Sequence, residues 1–141
     1  MDKRRREAEK RILDERIGTN LYRFQNEGTE SECIVFGART NRGNVYTLRV
    51  ELADFPDEIP AVFVMRMLKD KGGEDLDGIS ADMHTLESEN GWTRICHHGP
   101  NSWTPRISLY KVYVKCRLWL EMYELHLQTG KPLDYYLNHQ Q

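Results

Sequence analysis

From Tyr46 to Leu52 apolar and polar residues alternate without a break. Tyr46, Leu48, Val50 and Leu52 fall on one side, and Thr47, Arg49 and Glu51 on the other. A period of two predicts an antiparallel strand with one buried and one wet face. Asn41-Arg42-Gly43-Asn44 precedes it as a hairpin turn. Before the turn, residues 32–38 form a second strand, with Cys33, Ile34, Val35 and Phe36 in a row. Residues 21–24 are a weaker candidate. After Leu52 the ladder stops, because Pro56 and Pro60 have no N–H to donate. Residues 61–67 then return as a strand through Val62, Phe63, Val64 and Met65. The expectation is a four-stranded antiparallel meander.

The other period in the chain is helical. Residues 2–16 are rich in good helix formers and carry a thin apolar stripe of Ala8, Ile12 and Leu13. Gly18-Thr19-Asn20 ends them. Residues 107–128 form the main helix: Leu109, Tyr113, Cys116, Leu120, Tyr123 and Leu127 recur at spacings of three and four. Gly130 stops it. Pro132 opens a short last helix through Leu133, Tyr136 and Leu137. Between strand four and the main helix, residues 68–94 lose all periodicity and read as a long connection rich in Gly and Asp. Such loops are usually functional. The class is α+β, with one domain over residues 1–141.

Charge and cysteine content narrow the setting. Lys and Arg number 20 against 22 Asp and Glu, which argues for neither nucleic acid nor a membrane surface as partner. No apolar run is long enough to span a bilayer, and the N-terminus has no secretory pattern. Cys33, Cys96 and Cys116 are odd in number and far apart, a poor disulfide framework that fits a reducing, cytoplasmic setting. Cys33 and Cys116 lie in apolar segments and read as small buried hydrophobes. Lys3, Arg4, Arg5, Arg6, Lys10 and Arg11 read as a basic helix face, either simply solvated or a dock for an acidic partner.

Cys96 differs. It stands in Ile95-Cys96-His97-His98-Gly99-Pro100-Asn101-Ser102-Trp103-Thr104-Pro105, where the long loop meets the main helix. A thiolate is a strong nucleophile, and imidazoles beside it can carry protons. Cys96 with His97, His98 and His84 suggests acyl transfer on the thiol. Two other chemistries use the same residues. Cys and His are also zinc ligands, although this spacing is no recognised finger. Cys96 could also serve a Cys-His-Asp hydrolase, for which no periodic segment supplies an acid.

Taken in order, the elements resemble the ubiquitin-conjugating enzymes. A helix leads into a meander; Tyr46-Thr47-Leu48-Arg49-Val50 leads to Phe55-Pro56 and Ile59-Pro60, close to the family's Tyr-Pro-x-x-Pro-Pro. His84-Thr85-Leu86 occupies the place of its His-Pro-Asn, and Asn90-Gly91 that of its Asn-Gly turn. Ile95-Cys96 matches its Ile-Cys, and Trp103-Thr104-Pro105 its Trp-x-Pro. The resemblance covers nearly the whole chain. It implies the UBC-like fold and a thioester on Cys96 with a ubiquitin-like protein, delivered by an activating enzyme and passed to a target amine, often with a ligase. No cofactor or metal is implied. It also implies that the basic N-terminal helix docks the activating enzyme, that His84 is architectural, and that Asn90, Trp103 and Pro105 support the active-site loop. Leu86 stands where the family has its oxyanion-stabilising Asn, and His97-His98 where it has an apolar residue. These departures mark a divergent member, of the bacterial kind, in which His97 or His98 takes over from the Asn as a donor or eases loss of the lysine proton. The alternative from another class is a noncatalytic UBC-like module that binds a ubiquitin-like protein or scaffolds a partner.

Overall fold

A computed structural model describes residues 1–138. Helix α1 (Lys3–Arg16) begins on Asp2, whose carboxylate accepts the Arg5 amide at 2.8 Å. It ends where the amide of Gly18, in the left-handed region (φ 82°), returns to the Leu13 carbonyl. Four strands follow in sequence: β1 (Tyr22–Gln25), β2 (Cys33–Arg39), β3 (Val45–Glu51) and β4 (Val62–Val64). Each pairs antiparallel with the next, which is the expected meander.

The sheet does not stop at four strands. Residues 68–94, expected to be irregular, hold a further hairpin of β5 (Thr85–Glu89) and β6 (Trp92–Ile95). Strand β6 pairs antiparallel with β4, so the six strands lie in the order β1-β2-β3-β4-β6-β5. The hairpin lacked apolar alternation because its buried positions are partly threonines. Thr85 and Thr93 are buried, and their hydroxyls donate to the carbonyls of Gly78 (2.8 Å) and Leu76 (3.1 Å). A buried hydroxyl with a partner carries little penalty.

Helix α2 (Leu109–Thr129) starts on Ser108, whose hydroxyl accepts the Lys111 amide, and stops at Gly130 (φ 77°). Helix α3 (Leu133–Asn138) follows. One continuous core joins Leu13 of α1, Phe36, Leu48, Val62 and Ile95 of the sheet, Leu120 of α2 and Leu133 of α3. Of the expected apolar stripe of α2, Leu109, Tyr113, Cys116, Leu120 and Tyr123 are buried, while Leu127 is 38 % exposed. Cys33 and Cys116 are buried free thiols. Among the described residues no helix is long and apolar enough to cross a membrane.

The basic residues of α1 do not share one face. Arg6 is only 6 % exposed, and its guanidinium grips the fully buried Glu32 carboxylate through Nε (2.5 Å) and Nη2 (2.9 Å). Arg5 reaches across to the carbonyls of Pro105 (2.7 Å) and Ile107 (3.0 Å). Glu9, paired with Arg5, accepts the Leu109 amide at 2.7 Å. That places a carboxylate at the N-terminus of α2, where unpaired N–H groups and the helix dipole favour it. Lys10 pairs with Glu27 at 2.7 Å. Lys3, Arg4 and Arg11 remain exposed. Three of the six cations, Arg5, Arg6 and Lys10, therefore fasten α1 to the body of the protein.

Candidate active site around Cys96

Cys96 follows β6 directly. Its backbone N–H donates to the His84 carbonyl at 2.9 Å, which continues the β5–β6 pairing one step beyond the strands. The same carbonyl accepts the indole N–H of Trp119 at 3.0 Å, and Met83 O accepts it at 3.1 Å. His84 adopts a left-handed backbone (φ 51°), uncommon for a residue with a side chain, and this belongs to the turn that aims its carbonyl at both donors. The His84 ring, through Nε2, meets Asp134 of α3 at 2.7 Å. The α3 backbone is tied to the same loop by Asp134 N to Asp82 O (2.8 Å). His84 thus bonds through its carbonyl to the segment on which Cys96 sits and through its ring to α3.

The thiol itself is half-buried and opens on a groove of about 530 Å³ lined by His84, His98, Ser102, Lys115, Trp119 and Leu137 among others. Burial raises the Cys96 thiol above its ordinary value, with Arg94 on β6 acting in the opposite direction. Little of it is ionised at neutral pH.

His97 and His98 are not loop histidines in water. They are 9 % and 8 % exposed. Trp103 covers them edge-on, with ring centroids 6.4 Å from His97 and 5.3 Å from His98. Trp103 is itself fixed by its indole N–H to Pro56 O (3.0 Å) and by Phe55 at 6.1 Å. The two imidazoles form a directed chain. Pro60 O lies 2.8 Å from His97 Nε2, and a carbonyl can only accept, so that nitrogen carries the hydrogen. Burial lowers the pKa of both rings, His98 to about 4, so both are neutral at pH 7. Neutral His97 then has a bare Nδ1, which accepts from His98 Nδ1 at 2.7 Å. This leaves His98 Nε2 with a free lone pair. His98, not His97, is able to accept a proton from a reacting group. His97 has both nitrogens engaged and acts through its neighbour.

The remaining expected support residues divide. Trp103 walls the histidine pair. Pro105 contributes its carbonyl to Arg5. Asn90 does not approach the site: with Gly91 it makes the two-residue turn of the β5–β6 hairpin (φ 57° and 74°), at the end of β6 remote from Cys96. That turn needs two left-handed residues, and Asn-Gly is the pair that adopts them most readily. Among the described residues no three of His, Cys, Asp or Glu converge as a metal site. The imidazole pair bonds to itself and to a carbonyl.

Three residues of the site were not singled out from the sequence: Trp119, Lys115 and Asp134. Trp119 lies three residues after Cys116 on the buried stripe of α2, and that spacing was the available signal. The pairing of Asp134 with His84 spans 50 residues and left none. No family model, no curated protein and no solved structure matches this chain.

Proposed function

We propose that the protein is a ubiquitin-conjugating-type enzyme of the UBC-like fold, acting in the cytoplasm. Cys96 receives the C-terminal carbonyl of a ubiquitin-like protein from an activating enzyme and passes it to a target amine. The observation that carries this is the setting of Cys96. It is a half-buried thiol directly after β6, with its backbone N–H held by the His84 carbonyl that Trp119 also meets, and it lines a groove that His98 lines too. The order of elements, from α1 through the meander and hairpin to Cys96, Trp103 and α2, supports the same reading.

In loading, the Cys96 thiolate attacks the thioester carbonyl, the new C–S bond forms, and the donor thiolate leaves with the proton Cys96 gave up. One thiol replaces another, so little driving force for proton removal is needed. In discharge, the neutral amine attacks the same carbonyl, the Cys96 thiolate leaves, and the amine proton must go elsewhere. His98 Nε2 is the acceptor we assign, oriented by His97 and Pro60 O. Of the two roles expected for the pair, oxyanion donor and proton acceptor, the second is the one we assign, because a neutral His98 in this tautomer has no hydrogen to give at Nε2. Lys3, Arg4 and Arg11 are the cations free to meet the activating enzyme. Free thiols throughout the chain suit a reducing compartment.

The test is conjugation in the source cells with wild-type protein and Cys96→Ala. Loss of conjugates in the variant, at equal protein level, is the expected result. Full conjugation by Cys96→Ala would end the proposal and leave a noncatalytic binding module as the better reading.

A further inference from the structure

The groove at Cys96 runs into a second hollow of about 480 Å³ that shares His98, Ser102 and Lys115 with it and continues past Arg106 and Lys111. Arg106, Lys111 and Lys115 line the joined track, and no Asp or Glu does. All three cations are exposed. None forms an ion pair among the described residues, whereas Arg5, Arg6, Lys10, Lys69 and Arg117 each meet a carboxylate. Asp134, near the groove, is turned to His84. The cations are felt at the site: Lys115 and Lys111 help to keep His98 neutral.

The spacing along the track is informative. Lys111 and Lys115 stand four residues apart on α2, about 6 Å along its axis. An extended peptide presents every second side chain on one side, about 6.6 Å apart. Two acids at alternate positions of an extended segment therefore reach both ammonium groups at once. Leu118 and Leu137 give the part of the track nearest Cys96 an apolar wall. A basic segment meets three uncompensated cations there.

We propose that this track docks an acidic, extended C-terminal tail of the protein whose carbonyl Cys96 receives, with acids at alternate positions. The proposal rests on the carrier reading given above and adds the chemistry of the donor. The donor tail, rather than a target, is favoured because Cys96 lines the same track and Lys111 and Lys115 are hostile to an incoming protonated lysine.

Small peptidyl thioesters test this without any activating enzyme. Hexapeptide thioesters Glu-Ser-Glu-Ser-Gly-Gly, Ser-Ser-Ser-Ser-Gly-Gly and Lys-Ser-Lys-Ser-Gly-Gly are mixed with the full chain, and acylation of Cys96 is followed by intact mass spectrometry. The Cys96 thiolate attacks the peptide carbonyl, the peptide's C–S bond breaks, and the small thiol leaves and takes up the proton. No redox change occurs. At low salt the Glu peptide is expected to acylate Cys96 about tenfold faster than the Lys peptide, with the Ser peptide between them, and the ratio shrinks at 1 M salt. Lys111→Glu/Lys115→Glu should reverse the order of the Glu and Lys peptides. Using a ratio within one variant removes any change in thiol reactivity. Equal rates for all three peptides, or an order unchanged in the double variant, overturns the acidic-tail proposal while leaving Cys96 as an acyl acceptor. Failure of every peptide to acylate Cys96, with iodoacetamide still alkylating it, overturns the carrier reading and the acidic tail with it.

Discussion

The ionisation of Cys96 separates an acyl carrier from a cysteine hydrolase, and it is directly measurable. An ordinary thiol, with a pKa near 8.5, is about 3 % ionised at pH 7. Burial takes Cys96 below that fraction, since its pKa is raised. A hydrolytic cysteine needs the opposite: an adjacent imidazolium that holds the thiolate at neutral pH. His98 cannot supply one, because its pKa is lowered to about 4 by burial, the His97 ring and nearby lysines. Alkylation by iodoacetamide follows the thiolate. Its rate at Cys96 is therefore expected to rise about tenfold per pH unit from pH 6 through pH 8, with no plateau below pH 8.5. Peptide mapping gives the rate for each thiol. Cys33 and Cys116, at 0 % and 1 % exposure, are the internal references and should label only as the protein unfolds. Arg94→Ala should push the rise to still higher pH, because Arg94 is the charge that favours the thiolate. A plateau near pH 6, lost in His98→Gln, would reveal a thiolate–imidazolium pair and refute this reading of the site.

Other perturbations have defined outcomes. Glu32→Gln breaks the buried pair with Arg6 and should cost about 3 kcal/mol, a fall in Tm of about 10 °C for a chain of this size. Burial alone would raise the Glu32 carboxyl, but Arg6, the Gly28 amide and the N-terminal ammonium together hold it below the usual range. Its stabilisation is thus present above the unfolded carboxylate pKa and lost as pH falls through the folded one, so the wild-type and Glu32→Gln melting temperatures should converge in acid. Trp119→Phe removes the donor to Met83 O and His84 O and should cost about 1–2 kcal/mol, with faster amide exchange at Cys96 as the local readout. His98→Gln should slow discharge to an amine by tenfold or more while loading of Cys96 is kept. Equal loss in both steps would instead point to misfolding. In the wild type, discharge should show no inflection near 6.5, because His98 stays neutral down to about 4.

The parts of the fold legible in the sequence are those where one face is uniformly apolar. Strand β3 buries Tyr46, Leu48 and Val50 and leaves Thr47 exposed, so its period of two is plain. Helix α2 buries a stripe at spacings of three and four. Strands β5 and β6 were hidden because their inward residues include Thr85 and Thr93, whose burial depends on carbonyls distant in sequence. The Asn90-Gly91 pair was a hairpin signal read only as a family feature. At the site, Cys96, His98 and Trp103 were recognisable as types in one short segment. The tautomer chain through Pro60 O was not, because it joins residues 37 apart. Arg6 shows the converse: a charged helix residue reads as surface until its partner Glu32 is seen beneath it.

The most direct measurement on Cys96 is the state of its sulfur in living cells. Tagged protein is purified from its source under rapid acid quench, divided into reduced and unreduced halves, and analysed by mass spectrometry alongside Cys96→Ser. If Cys96 is the carrier, the unreduced half holds a small protein joined through its C-terminus to Cys96, reductant releases it, and Cys96→Ser retains it as a stable ester. An unmodified Cys96 in every sample, with activating enzyme and ubiquitin-like protein present in the same cells, would contradict the assignment of this thiol as an acyl carrier.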